Sequence, residues 1–114
     1  MDAPKNTPQE VLTYSKRLRE RLGIDTVVIH WSRHAVGNNL NSAVCVEAPY
    51  TDNPQISTGA GDHFNAGFCL GRLLGGNLDA NIQLGVATSG YYVREAKSPA
   101  LAQLSGFVEA LSKK

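Results

Sequence analysis

The chain has 114 residues, 42% of them hydrophobic and 18% charged, and a formal net charge of +1. The length suits one domain with a modest core, and the composition excludes a disordered or collagen-like chain. The near-neutral charge argues against a nucleic-acid-binding protein, and no apolar run approaches the roughly 18 residues of a membrane span. The sequence starts without a signal-peptide pattern, and its two cysteines cannot form a disulfide framework or a zinc cluster. We therefore expect a cytoplasmic protein.

A helix is the first element that the pattern predicts. Residues 1–6 are polar, and we expect them to be frayed. Thr7, Pro8 and Glu10 have the spacing of a capping box with proline at the first helical position. Apolar residues then recur at helical spacing, and Gly23 is expected to end the helix.

Two strands follow in the predicted order. The hydrophobic run over residues 24–31 predicts a buried strand, and the partly alternating segment 41–47 predicts a second one. Between them, the polar segment 32–40 contains adjacent glycine and asparagine residues, which indicate a loop. A buried strand needs neighbours on both sides, and two strands make a poor sheet. We therefore expect a fragment, or a chain that completes its sheet with a partner.

Three helices complete the predicted order of helix, strand, strand, helix, helix, helix. The first spans residues 61–74 and carries two glycines four residues apart, which predict close packing against another backbone. Asn77 is expected to cap the second helix, over residues 78–93. The last helix is expected to start at Ser98 and to end with the charge of Lys113 and Lys114. This order is typical of an α/β fold.

A turn of small residues runs directly into the second helix, with the sequence Ser57-Thr58-Gly59-Ala60-Gly61-Asp62. Glycines let the backbone approach a ligand closely, and the first N–H groups of a helix have no intrahelical partner. Such a turn suits a phosphate group, and Asp62 could take a proton from an attacking hydroxyl. The residues alone equally allow a glycine-rich helix start in which Asp62 only complements the helix dipole.

The stretch from Thr58 to Asp62, with Phe64 and Ala66-Gly67-Phe68 after it, closely resembles the C-terminal signature of the ribokinase-like carbohydrate kinases, the PfkB family. The resemblance implies that residues 7–114 are the C-terminal, nucleotide-side part of a ribokinase-like α/β/α sandwich. It also implies transfer of a phosphoryl group from ATP to a hydroxyl of a sugar or sugar-like molecule, with Mg²⁺ carried by the nucleotide.

The resemblance also implies a role for individual residues. Asp62 matches the catalytic base of the family. The family's anion hole, which stabilises charge on the transferred phosphoryl group, matches the N–H groups of Gly59, Ala60 and Gly61. Thr58 would lie against the nucleotide phosphates, and Ser32 lies in the stretch that matches a loop flanking the nucleotide. No metal ligand is expected among the protein side chains.

Departures from the family pattern concern the cation and nucleotide sites. Ile56 stands where the family often has an aspartate that helps to bind a monovalent cation, which argues against a potassium requirement. The stretch 30–35 lacks both glycines of the family's Thr-x-Gly-x-x-Gly loop. Val86 occupies the position at which the family has an asparagine near the adenine. His63 follows the matched base directly, and we expect it to pack or to face solvent.

Family members are considerably longer, and two functions therefore stay open. In the first, the chain supplies the catalytic base and the anion hole of a carbohydrate kinase and needs an N-terminal portion for turnover. In the second, it is a truncated or pseudo-kinase chain that binds phosphate, nucleotide or a partner without turnover. The expected partners are a nucleotide and a small sugar substrate, with no nucleic acid and no membrane. An open sheet edge predicts association with the N-terminal portion or self-association.

Overall fold

The computed structural model describes residues 7–112, so the expectations for residues 1–6 and for Lys113 and Lys114 lie outside the described residues. This part of the chain combines four helices with a three-stranded sheet, which confirms the expected α/β class. The elements in chain order are α1 (Pro8–Leu22), β1 (Val27–His30), β2 (His34–Asn38), β3 (Ala43–Glu47), α2 (Ala60–Leu73), α3 (Leu78–Glu95) and α4 (Leu101–Ser112).

The helix boundaries follow the local capping signals. The Thr7 side chain accepts from the Glu10 N–H at 3.2 Å, and the Glu10 carboxylate accepts from the Thr7 N–H at 3.2 Å. Gly23 ends α1 in the left-handed conformation, with φ 65°. The Asn77 side chain caps α3 by accepting from the Ala80 N–H at 2.8 Å. These predicted caps are confirmed, whereas α4 begins at Leu101 rather than Ser98.

The central strand of the sheet lies in the segment that the pattern indicated as a loop, and this expectation was wrong. Strand β2 pairs with β1 and β3 in antiparallel fashion, with Gly37 opposite both Val28 and Val44. Helices cover both of its faces, and an added Cβ at Gly37 would lie 2.6 Å from Ile82 Cδ1. Gly37 is therefore required because α3 packs close to the strand. The sheet has three strands instead of the expected two.

A buried polar network attaches α1 to β2. The Asn38 side chain is 1% exposed, donates to Ser15 Oγ at 2.6 Å and accepts from Arg19 Nε at 2.8 Å. Asn38 is the last residue of β2, and the turn begins with the next residue. There the Asn39 side chain accepts from the N–H groups of residues 41 and 42. The two adjacent asparagines thus have different tasks, one in the core and one in the turn.

Helices α2 and α3 pack at backbone distance, as the paired glycines predicted. A Cβ added to Gly67 would lie 2.5 Å from Thr88 Oγ1, and one added to Gly71 would lie 2.5 Å from Asn81 Oδ1. On the opposing helix, a Cβ at Gly85 would meet the Phe64 ring at 2.9 Å. This contact fixes the first turns of α2 against the middle of α3. None of the described helices has the length and apolarity that a membrane crossing requires.

Candidate functional site

The turn before α2 presents free backbone donors. Gly59 is the N-cap of α2 and has φ 93°, a conformation that favours glycine. The Ala60 N–H donates to the Ser57 carbonyl at 3.2 Å, whereas no acceptor among the described residues reaches the N–H groups of Gly59, Gly61 and Asp62. The set of open donors therefore differs from the expected one, because the turn engages Ala60 and leaves Asp62 free. Together with the helix dipole, these donors favour an anion.

The Asp62 side chain is exposed in the first turn of α2. Within residues 7–112, no donor or cationic side chain contacts its carboxylate. The carboxylate borders a cavity of about 380 Å³ between α2, α3 and the start of α4, which His63, Ser98 and Leu104 also line. A carboxylate without a bound partner can accept a proton, as a general base must.

His63 and Tyr92 contact the carbonyl groups of the turn. Their rings are stacked, with centroids 3.7 Å apart and an interplanar angle of 12°. The Tyr92 hydroxyl donates to the Thr58 carbonyl at 2.7 Å, and His63 Nδ1 lies 2.8 Å from the Gly59 carbonyl oxygen. Because a carbonyl only accepts, Nδ1 carries the hydrogen in this arrangement. His63 Nε2 lies 2.7 Å from the Ser98 hydroxyl, from which it accepts when the ring carries its hydrogen on Nδ1 alone.

A second cavity, of about 340 Å³, lies beside the turn on the side of the sheet. Ser32 belongs to its wall, whereas Thr58 does not. Val86 also lines this cavity, and it stands at the position where the resemblance places an asparagine near the adenine. Other lining residues come from the end of β1, the turn before α2 and the second half of α3, and include His30, Trp31, Ser57, Ala60, Ser89, Gly90 and Val93.

His30 lies where β1 meets the start of α2. Its ring stacks on Phe64, with centroids 4.0 Å apart and an interplanar angle of 16°. A Cβ added to Gly61 would lie 3.6 Å from His30 Cε1, so the imidazole adjoins the open donors of the turn. Burial lowers the pKa of His30, which favours the neutral ring at the cavity wall.

The loop between β3 and α2 is held over the second cavity by Arg94. Its guanidinium donates to the carbonyls of Pro49 and Gly90 at 2.9 Å and of Tyr50 at 3.1 Å. The Arg33 guanidinium lies over the Tyr50 ring, 3.8 Å from its centroid. Neither arginine was selected from the sequence, and neither were His30 and Tyr92, because their partners are distant along the chain.

The described residues contain no group of three or more His, Cys, Asp or Glu side chains that could hold a metal ion. Ile56 stands at the position where the resemblance places a cation-binding aspartate, and its side chain offers no oxygen ligand. By contrast, the open N–H groups at Gly61 and Asp62 fit a nucleotide phosphate.

Sequence comparisons connect the chain to ketohexokinases. The model of the prokaryotic ketohexokinase family matches residues 3–111. The ketohexokinase of Haloferax volcanii is 31% identical over 88 residues, which make up 77% of this chain and 24% of that protein. The chain therefore spans about a quarter of the length of this curated relative.

Structural comparisons show the fold. Phosphofructokinase-2 from Escherichia coli, solved with substrates and products, gives a TM-score of 0.78 at 18% identity over 94% of this chain and 35% of that chain. Ribokinase from Thermotoga maritima gives 0.71 at 23% identity, over 87% and 34% of the two chains. An Escherichia coli chain assigned as a ribokinase II, solved with ATP and Mg²⁺, gives 0.71 at 21%, over 95% and 35%. The expected ribokinase-like fold and the resemblance to PfkB-family sugar kinases are confirmed.

Proposed function

Because the chain belongs to the prokaryotic ketohexokinase family, we propose that it supplies the catalytic base and the phosphate-binding turn of an ATP-dependent sugar kinase. Its relatives are carbohydrate kinases, so phosphoryl transfer to a sugar is the activity at the level of the family. One observation carries the proposal for this chain: open backbone donors at Gly61 and Asp62 stand beside a carboxylate without a partner.

The backbone donors of the turn bind the anionic oxygens of the group in transfer. The N–H groups of Gly59, Gly61 and Asp62 lie at the start of α2, where Gly59 is the N-cap, and are reinforced by the helix dipole. Fixed donors of this kind need no reorganisation when charge develops, and removal of one such donor typically costs about 10²- to 10³-fold in rate. Positioning and charge stabilisation are the main requirements of phosphoryl transfer.

The Asp62 carboxylate accepts the proton of the attacking sugar hydroxyl. A general base contributes typically about 10²- to 10⁴-fold, provided that it reaches the hydroxyl directly. ATP would supply the phosphoryl group and leave as ADP, and its Mg²⁺ would offset the phosphate charge. The exposure of Asp62 on the wall of the 380 Å³ cavity leaves room for a small acceptor molecule.

We assign the nucleotide to the second cavity. Ser32 and the neutral imidazole of His30 stand on its wall next to the turn, and both can donate hydrogen bonds to phosphate or ribose oxygens. The position of Thr58 before the open donors suits a contact with the phosphates through its hydroxyl. The apolar side chain of Val86 offers no hydrogen bond to a base, so the base would be held by packing.

Turnover in this proposal needs more than this chain. The curated relative is about four times as long as the matched portion, since that portion is 24% of it. Apart from Asp62 and the wall of its cavity, we assign the sugar-contacting residues to the parts that this relative has beyond the match, whether joined in one polypeptide or supplied by a partner. The chain then contributes the catalytic base, the phosphate-binding turn and the cavity for the nucleotide.

Calorimetric titration with ATP and Mg²⁺ tests the proposal on the chain itself. Gly61→Ala adds a methyl group beside the open donors at an ordinary 3.6 Å from His30, so the fold should survive and binding should weaken at least tenfold. Asp62→Asn should keep nucleotide affinity within about threefold, and should abolish phosphorylation in a complete enzyme. Gly106→Ala, with nothing within 4 Å, is the matched control and should bind like the wild type. Equal affinity of the Gly61→Ala chain would refute the anion-binding turn.

A second candidate function is nucleotide or phosphate binding without turnover. It is favoured by the tight β1–β2 turn, in which the Trp31 N–H donates to the His34 carbonyl at 2.9 Å and leaves no glycine loop to flank a nucleotide. The two functions separate in one assay. Sugar phosphorylation by the complete enzyme that depends on Asp62 supports the first, and nucleotide binding without any Asp62-dependent product supports the second.

A further inference from the structure

We propose that Tyr92 and His63 are positioning residues that keep the N–H groups of the phosphate-binding turn open before a ligand arrives. The inference rests on the proposed function, because it concerns the same turn, but it assigns a role to two side chains that do not themselves contact the transferred group. Tyr92 belongs to α3, and His63 follows the proposed base in α2.

The Tyr92 hydroxyl binds the carbonyl that would pair with Asp62 if α2 began one residue earlier. With Gly59 as the N-cap, the Asp62 N–H belongs to the first turn of α2, whose N–H groups have no intrahelical partner, and an extension of the helix by one residue would pair it with the Thr58 carbonyl. Here the Thr58 carbonyl accepts from Tyr92 Oη at 2.7 Å, and the Asp62 N–H has no acceptor among the described residues. The first bond of the helix is that of the His63 N–H to the Gly59 carbonyl, at 3.1 Å, as expected for an N-cap at Gly59. We infer that the hydroxyl, by binding the Thr58 carbonyl, opposes an extension of α2 that would occupy the Asp62 donor.

The His63 side chain fixes the neighbouring carbonyl in the same way. Its Nδ1 lies 2.8 Å from the Gly59 carbonyl oxygen, and its Nε2 lies 2.7 Å from Ser98 Oγ. The ring also stacks on Tyr92, so each aromatic side chain holds the other in place. A Cβ added to Gly59 would lie 3.0 Å from Tyr92 Oη, and the positive φ disfavours a side chain as well. The turn and the aromatic pair are thus fitted to each other.

The expected consequence is a preorganised anion site. If the Thr58 carbonyl turned toward the helix, an incoming phosphate would have to displace an internal hydrogen bond of the Asp62 N–H. The net contribution of one such hydrogen bond corresponds to a change of about three- to tenfold in affinity. Loss of the Tyr92 hydroxyl should therefore weaken phosphate binding by that factor without removing any group that contacts the phosphate.

Tyr92→Phe tests this step, since it removes the hydroxyl and keeps the ring that stacks on His63. Tyr91→Phe is the matched control, because its ring packs edge-on against Phe107 at 5.9 Å and its hydroxyl has no partner among the described residues. In the ligand-free chain, the solvent-exchange rate of the Asp62 amide, measured by NMR, should fall about fivefold in Tyr92→Phe and stay unchanged in the control. The dissociation constant for ATP with Mg²⁺ should rise three- to tenfold in Tyr92→Phe only.

Each result bears on one part of the proposal. An unchanged Asp62 exchange rate in folded Tyr92→Phe overturns it, and so does a slower exchange rate that leaves ATP affinity equal to that of the wild type. Circular dichroism checks folding, and Ser98→Ala, which removes only the outer hydrogen bond of His63, provides a second variant with a smaller change in the same direction. Identical exchange and affinity in Ser98→Ala overturn the role of His63. If the wild type does not bind ATP, the nucleotide part of the proposed function fails, whereas the exchange rates still decide the positioning claim.

Discussion

Replacement of glycine by alanine is expected to have opposite effects on stability at Gly67, in the contact between α2 and α3, and at Gly106, on α4. A Cβ at Gly67 would lie 2.5 Å from Thr88 Oγ1 and 2.6 Å from the Leu84 carbonyl oxygen, so the two helices would have to separate by several tenths of an ångström. Such overpacking costs about 1–3 kcal/mol, and the upper end applies where the obstacle is backbone. Helix propensity returns about 1 kcal/mol when alanine replaces glycine. We expect Gly67→Ala to destabilise the chain by about 2 kcal/mol.

Gly106→Ala provides the reference, because Gly106 is an exposed position of α4 and nothing lies within 4 Å of its added Cβ. There only the propensity gain remains, so the free energy of unfolding should rise by about 0.5–1 kcal/mol. Urea denaturation of both variants, followed by circular dichroism, measures the two values on one scale. A Gly67→Ala chain as stable as the wild type would refute the reasoning, since the helices could then not be in backbone contact.

Three further perturbations have defined outcomes. Asn38→Ala removes one neutral and one charge-assisted hydrogen bond and should cost about 2–4 kcal/mol in urea denaturation, against less than about 0.5 kcal/mol for the exposed Asn41→Ala; equal losses would contradict the buried network. Burial lowers the pKa of His30 below 6.5, so stability should be full above pH 6.5 and fall below it, where only the unfolded chain takes up the proton. In His30→Asn this fall should flatten, and an unchanged slope would exclude His30 as its source. Arg94→Lys cannot reach three carbonyls, so limited proteolysis should cut the loop before α2 faster; an unchanged rate would deny the anchoring role.

Most helix boundaries could be predicted because their signals are local. The capping box at Thr7 and the Asn77 cap each involve residues three apart, and the structure has both. Strand β2 could not be predicted in this way, since Gly37 and Asn38 are residue types that usually mark turns. Gly37 is needed because Ile82 packs onto the strand, and Asn38 because α1 supplies its partners. These causes lie in other elements and leave no local pattern.

The candidate site shows the same difference between residues with a local signal and residues whose partners are distant along the chain. The turn and Asp62 could be selected from the sequence because they lie in one short segment. The resemblance to a family signature gave them a role in phosphoryl transfer, since the spacing alone equally allows a plain helix start. Tyr92 acts on Thr58 across 34 positions of sequence, and His63 bonds to Ser98 across 35. No periodicity or motif in a single chain links such pairs, so packing alone brought them together. The open donors include the Asp62 N–H and not the Ala60 N–H, because the Ala60 N–H donates to the Ser57 carbonyl. The sequence does not reveal this hydrogen bond.

One residue, Asp62, offers both an open N–H group and a free carboxylate. In the proposed mechanism the donor to the phosphate and the acceptor of the proton are therefore joined by a few covalent bonds of a single amino acid. A rigid-body shift of α2 would displace both groups together, and their separation would then change only by rotation about the χ1 and χ2 bonds of Asp62. The spacing on which the chemistry depends is thus set within one residue, and the remainder of the enzyme has only to deliver the sugar to it.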